Sequence, residues 1–241
     1  MAFVNGTTTT SLGLSGSTIT LFTYTPAAVH NLLVVFGTYG SDPNVLSSPA
    51  ITDGTNTWTT VDDIGSNGHS QSLFSAYTIT STTAALTIVL HLTGTENLCG
   101  GSLAEYSGIA TSSSIDNAGA AHAINSNITP GTGTNGVVSG TFTTTTNGDL
   151  LVCAGLDVQN DNTLTAGTSS VTFTGRAACT NHDTTNLIQL QIEDGTQTTA
   201  ASGTQGAWTA SVSENILCNC IAFKVTTSGF TGGMMPLLGV G

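Results

Sequence analysis

Hydrophobic and polar residues alternate along several short stretches of the chain, the pattern of β-strands that bury one face. The alternation is clearest over residues 17–24, 73–79 and 86–92. Residues 32–39, LLVVFGTY, are more continuously apolar, as expected for a central strand covered on both faces. No long segment shows the spacing of an amphipathic helix. The pattern therefore predicts an all-β chain with about six strands in each half.

Short polar segments rich in Gly, Asn and Asp separate these stretches. Asn-Gly and Asp-Gly pairs favour the positive φ angles of tight hairpins, and such pairs mark four of the five turns that we predict. The predicted turns are SDPN (41–44), TDGTN (52–56), SNGH (66–69), TNGD (146–149) and EDGT (193–196).

The two halves of the chain repeat the same order of segments. Leu32 and Leu150 begin similar apolar runs, and Glu96 and Glu214 begin similar later runs; both pairs lie 118 residues apart. We therefore predict one β-unit over residues 1–226, built of two pseudo-repeats at about 8–109 and 121–226. Residues 227–241 form a separate, glycine-rich arm in this interpretation.

Two architectures fit such a repeat. One is a double-sheet β-sandwich or jelly roll with an internal pseudo-repeat, which we favour, and the other is two tandem immunoglobulin-like sandwiches. Residues 110–140 are polar enough for a linker, yet IDNAGAAHAI within them could add a strand. Regular strand spacing alone does not separate the two architectures.

Charge is scarce and strongly unbalanced. Charged residues make up 7% of the 241 residues, with two Lys plus Arg against 14 Asp plus Glu and a net charge of −12. Nucleic acids and anionic membrane surfaces attract proteins through cationic side chains. Only Arg176 and Lys224 carry such a charge, so we expect neither a nucleic-acid partner nor a membrane partner.

The segment that opens the chain, MAFVNGTTTTSLGLSG, lacks the basic start and apolar run of a secretory signal. We expect a chain made and used without export, with a processed mature form as the alternative.

The five cysteines are Cys99, Cys153, Cys179, Cys218 and Cys220. An odd number in a chain that is not exported indicates reduced, buried thiols, with a disulfide or a metal site as the alternative.

The motifs of common enzymes are missing. There is no G-x-S-x-G, no H-E-x-x-H and no phosphate-binding loop. The histidines are scattered, with His69 and His182 expected in loops and His91 in a strand. We therefore predict no catalytic residue, no cofactor and no metal ligand, and a protein that is not an enzyme.

Several acidic and aromatic residues are candidates for binding roles. Asp62 and Asp63 are adjacent in a predicted strand and point to opposite faces, so they should not act as a pair. A turn-forming role is expected for Asp53, with calcium binding at Asp42, Asp53 or Asp157 as the alternative. Trp58 and Trp208 lie in alternating segments and are expected in the core rather than on a sugar-binding surface. Glycosidases need two carboxylates about 5–10 Å apart, and the sequence places no two of Asp53, Asp62, Glu105 and Glu193 as such a pair.

The motifs LLVVFGTY (32–39), DGTNTWT (53–59), AEYSG (104–108) and GDLLV (148–152), with AFK at 222–224, resemble a group of Thr/Gly-rich β-sandwich proteins of bacteriophage virions and bacterial surfaces. The resemblance covers most of 1–226 and implies a virion structural or surface protein. It brings no catalytic residues. HNLLVV in place of an acidic turn and AFKV without a following proline depart from the pattern.

Together these features predict a non-enzymatic virion structural protein, either a capsid decoration (cement) protein or a tail-surface protein. It would form a homo-oligomer, bind the major capsid or tail protein, and reside in the virion after assembly in the host cytoplasm. The alternative is a secreted adhesin, filament subunit or carbohydrate-binding module at the cell surface. Both ends of the chain look like arms, and apolar residues of the C-terminal one are expected to contact other subunits. These residues are Phe230, Met234, Met235, Pro236, Leu237, Leu238 and Val240.

Overall fold

The structure is a computed structural model that describes residues 1–40, 45–65, 71–116, 122–128, 137–157, 163–210 and 216–226. In this part of the chain the regular elements are all strands, and none of it forms a helix able to cross a membrane. The strands are β1 Ala2–Thr8, β2 Leu14–Tyr24, β3 Leu32–Tyr39, β4 Leu46–Thr52, β5 Thr59–Gly65, β6 Ser72–Ile79, β7 Leu86–Ser107, β8 His122–Ile128, β9 Val137–Val138, β10 Phe142–Thr143, β11 Asp149–Asp157, β12 Leu164–Ala166, β13 Thr174–Asp183, β14 Ile188–Gln197, β15 Ser202–Thr204, β16 Ala207–Ala210 and β17 Ile216–Phe223. The prediction of an all-β protein with packed antiparallel sheets is confirmed.

The first half of the chain builds two sheets that share one long strand. The larger sheet has the order β1-β7-β3-β6-β5, all antiparallel. The 22-residue strand β7 extends beyond it, and its first part pairs with β2 on one side and with β4 on the other. Alternation in that first part buries Leu86, Ile88 and Leu90, which is why it covers the large sheet.

The second half repeats this arrangement. Its large sheet has the order β8-β17-β11-β14-β13, so each strand occupies the place of its counterpart β1, β7, β3, β6 or β5. A small sheet with the order β12-β16-β9 corresponds to β4, β7 and β2 of the first half. The strands β10 and β15 form a further short pair.

The two large sheets pack face to face through the apolar residues of their central strands. Leu32, Val34 and Phe36 of β3 share one core with Leu150 and Val152 of β11. Alternate residues along each strand point the other way and bury against the small sheet of the same half. All eight residues of β3 are buried, which confirms the prediction of a strand covered on both faces.

The contacts between the large sheets follow an approximate twofold relation. β1 lies against β13 and β5 lies against β8, while β7 contacts β14 and β6 contacts β17. Because β13 is the counterpart of β5 and β8 the counterpart of β1, each contact has a matching one with the roles exchanged. This is the geometry of a symmetric dimer built into a single chain.

Residues at the start of the chain do not form an arm, contrary to prediction. β1 pairs with Ser102–Ser107 of β7, and the Phe3 ring packs edge-on against Tyr106. Arg176 of the second half lies over the Phe3 ring, with its guanidinium carbon 4.5 Å from the ring centre. Pairing with β7 and contact with Arg176 hold this segment on the body of the fold, with its side chains partly buried or exposed.

The turn predicted at 193–196 is wrong, because β14 continues through it to Gln197. Gly195 is used for close packing: a Cβ there would lie 2.5 Å from Cγ1 of Val171. The prediction of a loop at His182 is also wrong, since this residue lies in β13. Within 110–140, β8 overlaps only the end of IDNAGAAHAI (115–124), the segment in which the sequence suggested an extra strand.

The cysteines do not all remain thiols. Cys153 of β11 and Cys220 of β17 face each other across the sheet and form a disulfide. Cys99, Cys179 and Cys218 are free and buried, as predicted. The expectation of reduced thiols is therefore wrong for one pair, because strand register brings together two residues that are 67 positions apart.

Candidate functional site

The connector between the two halves runs antiparallel to the segment that follows β17. Isolated bridges join Ile109 to Val225 and Ile115 to Phe223. The Lys224 backbone donates its N–H to the carbonyl of Ser114 at 2.7 Å. This pairing holds residues 109–116 beside residues 222–226, and two features of chemical interest lie along it: a buried carboxyl pair and a polar cleft.

Asp116, in the connector, is a buried carboxylate surrounded by donors. The backbone N–H groups of Thr145 and Thr146 each donate to its Oδ2 at 2.7 Å, and the Thr145 hydroxyl donates to its Oδ1. Nζ of Lys224 lies 3.8 Å from the same Oδ1. Burial alone raises the pKa of Asp116, but hydrogen bonds from Asp149, Thr145 and Thr146 outweigh it and hold that pKa far below the usual range.

Asp149 is the second carboxyl of the pair and is fully buried at the start of β11. Apart from Asp116, no donor among the described residues reaches either of its oxygens. Burial, the hydrogen bond to Asp116 and the negative charge of Asp116 raise the pKa of Asp149 to about 8, against a smaller opposing effect of Lys224. Asp149 therefore holds a proton at neutral pH and donates it to Asp116, an arrangement in which two carboxyls share one proton.

The polar cleft has a volume of about 500 Å³ and lies between the first half and the connector. Its walls are mostly hydroxyl groups with one amide and one tyrosine. The lining residues are Thr55, Asn56, Thr57, Thr59, Tyr77, Thr78, Ile79, Ser81, Thr111, Ser113 and Ser114. The Tyr77 ring packs edge-on against Phe223, so the cleft and the carboxyl pair border the same segment.

The remaining buried acids hold the fold together. Glu105 accepts hydrogen bonds from the Tyr24 hydroxyl at 2.6 Å, the Asn31 amide at 2.6 Å and the Ala27 N–H at 2.9 Å. Glu193 accepts from the N–H groups of Ala207 and Gly167, and burial raises its pKa to about 9. These two carboxyls belong to different halves and have separate partners.

Asp53 has the turn-forming role that was predicted. Its Oδ1 accepts the N–H groups of Thr55 and Asn56 at 2.8 and 2.7 Å, and its Oδ2 accepts the Trp58 indole N–H at 2.9 Å. Trp58 and Trp208 are both buried, which confirms their core placement and leaves neither as a surface for a sugar.

Asp62 and Asp63 have different partners. Asp62 accepts from the Asn219 amide at 2.7 Å, whereas Asp63 accepts from the Tyr39 hydroxyl. His91 shares a hydrogen bond of 2.7 Å with Thr52. In the described ranges, no three or more His, Cys, Asp or Glu side chains cluster as a metal site would require.

Several predicted positions lie outside the described residues, among them Asp42 and His69. The same holds for the arm residues expected to contact other subunits: Phe230, Met234, Met235, Pro236, Leu237, Leu238 and Val240.

Sequence reasoning missed Asp116 and Asp149 as functional candidates. One signal was available: Asp149 stands at the head of an apolar run, where an ionised side chain is costly to bury. Comparison with models of known families, with curated proteins and with solved structures finds no match to this chain.

Proposed function

We propose that the chain is a non-enzymatic structural subunit of a virion, a capsid decoration (cement) protein or a tail-surface protein that binds neighbouring subunits through its sheet edges. The observation that carries the proposal is the edge formed by β2. This strand is eleven residues long and, within the described residues, pairs only with β7.

The β2 edge lacks the charges and prolines that normally prevent association, although its pairing with β7 is shifted at Gly16 and between Thr20 and Phe22. Natural edge strands are blunted by charges, prolines or short length, because unpaired N–H and C=O groups otherwise recruit another strand. β2 has no charged residue and no proline, and its exposed side chains are serines and threonines. The unpaired N–H and C=O groups of such an edge can pair with a strand of a neighbouring subunit.

The pairing of the two halves supports the same conclusion. Both large sheets use their inner faces against each other and their outer faces against the small sheets. The faces of the large sheets are therefore covered within the chain, which leaves the sheet edges and the outer faces of the small sheets for contacts with other molecules. A surface with few charges loses little hydration when such contacts form.

The experiment compares two lysine substitutions in the same small sheet. Thr20→Lys places a charge on the β2 edge, while Thr87→Lys places it at an exposed position of the central strand β7. Sedimentation velocity of the full chain, alone and with purified virions from its source, measures self-association and particle binding. We expect Thr20→Lys to weaken association about tenfold or more and Thr87→Lys to leave it nearly unchanged.

Mass spectrometry of the same virions gives the independent readout. The proposal is abandoned if the protein is absent from the particles and the unmodified chain neither self-associates nor binds them.

The cleft beside the connector favours a second candidate function, carbohydrate binding. Its hydroxyls, the Asn56 amide and the Tyr77 ring are groups that hold neutral sugars by hydrogen bonds and ring contact.

Binding to a glycan array tests this candidate. Thr59→Arg would obstruct the cleft and abolish binding, whereas Thr60→Arg, on the opposite face of β5, would preserve it. A chain that binds no glycan at millimolar concentration lacks this function.

A further inference from the structure

We propose that Lys224 and Asp116 form an intramolecular amide crosslink, with Asp149 as the group that transfers protons during its formation. The inference is independent of the proposed function. It rests on the position of the one lysine in the chain, whose Nζ lies 3.8 Å from Oδ1 of Asp116.

Asp116 has more hydrogen-bond donors around it than a salt bridge with Lys224 would need. Its side chain is 1% exposed, and the donors from Thr145 and Thr146 already satisfy it before Lys224 is counted. Asp149, with no other donor within reach, adds a neutral acid. A carboxyl that faces an amine, two backbone N–H groups and a buried acid has the elements of an acyl-transfer site.

The reaction balances without any further reagent. Asp149 first passes its proton to Oδ1 of Asp116 and takes one in return from the Lys224 ammonium, and the neutral amine then attacks Cγ to form the C–N bond. Negative charge develops on Oδ2, where the N–H groups of Thr145 and Thr146 stabilise it. The C–Oδ1 bond breaks, and Oδ1 leaves as water with the proton of Asp149. Asp149 then recovers a proton from the nitrogen, which leaves a neutral amide.

The protonation state of Asp149 suits this role. Its raised pKa, about 8, keeps a transferable proton on the carboxyl at neutral pH. Backbone hydrogen bonds hold both reacting residues in place. The Asp116 N–H donates to the carbonyl oxygen of Ala222, and the Lys224 N–H donates to the carbonyl oxygen of Ser114. Proximity of this kind replaces the need for an external catalyst.

The crosslink would close the second half of the chain into a covalent ring. It joins the connector before β8 to the residue that follows β17, so every strand of the second half lies between the two linked positions. Unfolding of this half would then leave a closed loop with reduced conformational entropy.

Mass spectrometry of the denatured full chain tests the proposal. After reduction of the disulfide, wild type is expected to be lighter than its sequence by the mass of one water molecule. Lys224→Arg is the matched control, because it keeps the positive charge but provides no amine; it should show the full mass. Asp149→Asn should crosslink at least about tenfold more slowly, since the amide cannot relay the protons.

Trypsin provides a second readout, since the chain has a single arginine and a single lysine. Cleavage of the reduced, denatured chain after Arg176 separates Asp116 from Lys224 onto different fragments. The fragments should remain joined in wild type and separate in Lys224→Arg. Circular dichroism first verifies that each variant is folded. A folded wild-type chain that keeps its full mass after prolonged incubation near neutral pH, and that trypsin cleaves after both Arg176 and Lys224 into three separate fragments, refutes the crosslink.

Discussion

The carboxyl groups of Asp116 and Asp149 lie within hydrogen-bond distance of each other in the interior, and one proton serves both. The pair joins the connector to the first residue of β11, a strand at the centre of the fold. Two carboxyls in contact cannot both ionise without strong repulsion, so their stability contribution depends on pH.

The pH dependence of stability should follow the raised pKa of Asp149. Between the ordinary value of 3.8 and about 8, the folded state holds a proton that the unfolded state has lost, so the free energy of unfolding falls as pH rises through this range. Asp149→Asn cannot titrate and still donates to Asp116. At the upper end of the range, the variant should be more stable than its parent by at least about 1 kcal/mol.

Urea unfolding at a series of pH values measures this effect. The comparison is made in the Lys224→Arg background, with Asp149 kept in the parent and replaced by Asn in its derivative. Lys224→Arg keeps the charge beside Asp116 and prevents the proposed crosslink. Equal pH slopes for the parent and for its Asp149→Asn derivative would contradict a protonated Asp149.

Removal of the Asp53 carboxylate should destabilise the turn before β5. Asp53→Ala leaves the N–H groups of Thr55 and Asn56 and the indole N–H of Trp58 without their acceptor. We expect a loss of about 2–4 kcal/mol in the free energy of unfolding. Glu96→Ala is the control, as it removes a carboxylate from a partly exposed strand position. Similar losses in both variants would argue against the turn-forming role.

Gly6 should be sensitive to any side chain, because β1 and β13 are in close contact there. A Cβ at Gly6 would lie 2.1 Å from Sγ of Cys179 and 2.7 Å from the carbonyl oxygen of Leu103. Gly6→Ala is expected to cost about 1–3 kcal/mol of unfolding free energy by overpacking. Gly94→Ala provides the comparison, with its nearest atom 3.8 Å away.

Thermal unfolding of both glycine variants gives the difference directly. Cys179→Gly should recover part of the loss in the Gly6→Ala background, since it removes Sγ while the contact with Leu103 remains. A neutral effect of Gly6→Ala would show that the two halves are packed less tightly than the structure has them.

The disulfide between Cys153 and Cys220 should stabilise the second half. Reduction opens a link between residues 67 positions apart and is expected to lower the free energy of unfolding by about 2–4 kcal/mol. The double variant Cys153→Ala/Cys220→Ala should be insensitive to reductant. Thiol titration of the denatured, unreduced chain should detect the three free cysteines; detection of five would show that no disulfide forms.

Local patterns in the sequence were sufficient for the all-β class and for strands such as β2 and β3. Side-chain alternation has a period of two in any strand, so burial on one face of β2 or on both faces of β3 is visible before folding. The corresponding positions of Leu32 and Leu150 likewise reflect equivalent strands in the two halves. These are properties of neighbouring residues, which a linear sequence displays.

Only tertiary structure decided which distant residues meet. The turn expected at 193–196 became strand because Val171 packs over Gly195, and the start of the chain became β1 because it pairs with β7 and contacts β13. Asp116, Asp149 and Lys224 come together through the path of the connector along the end of β17. Such contacts depend on the order and stacking of strands, and the free energy that selects them is gained by burying whole sheet faces, which no local segment encodes.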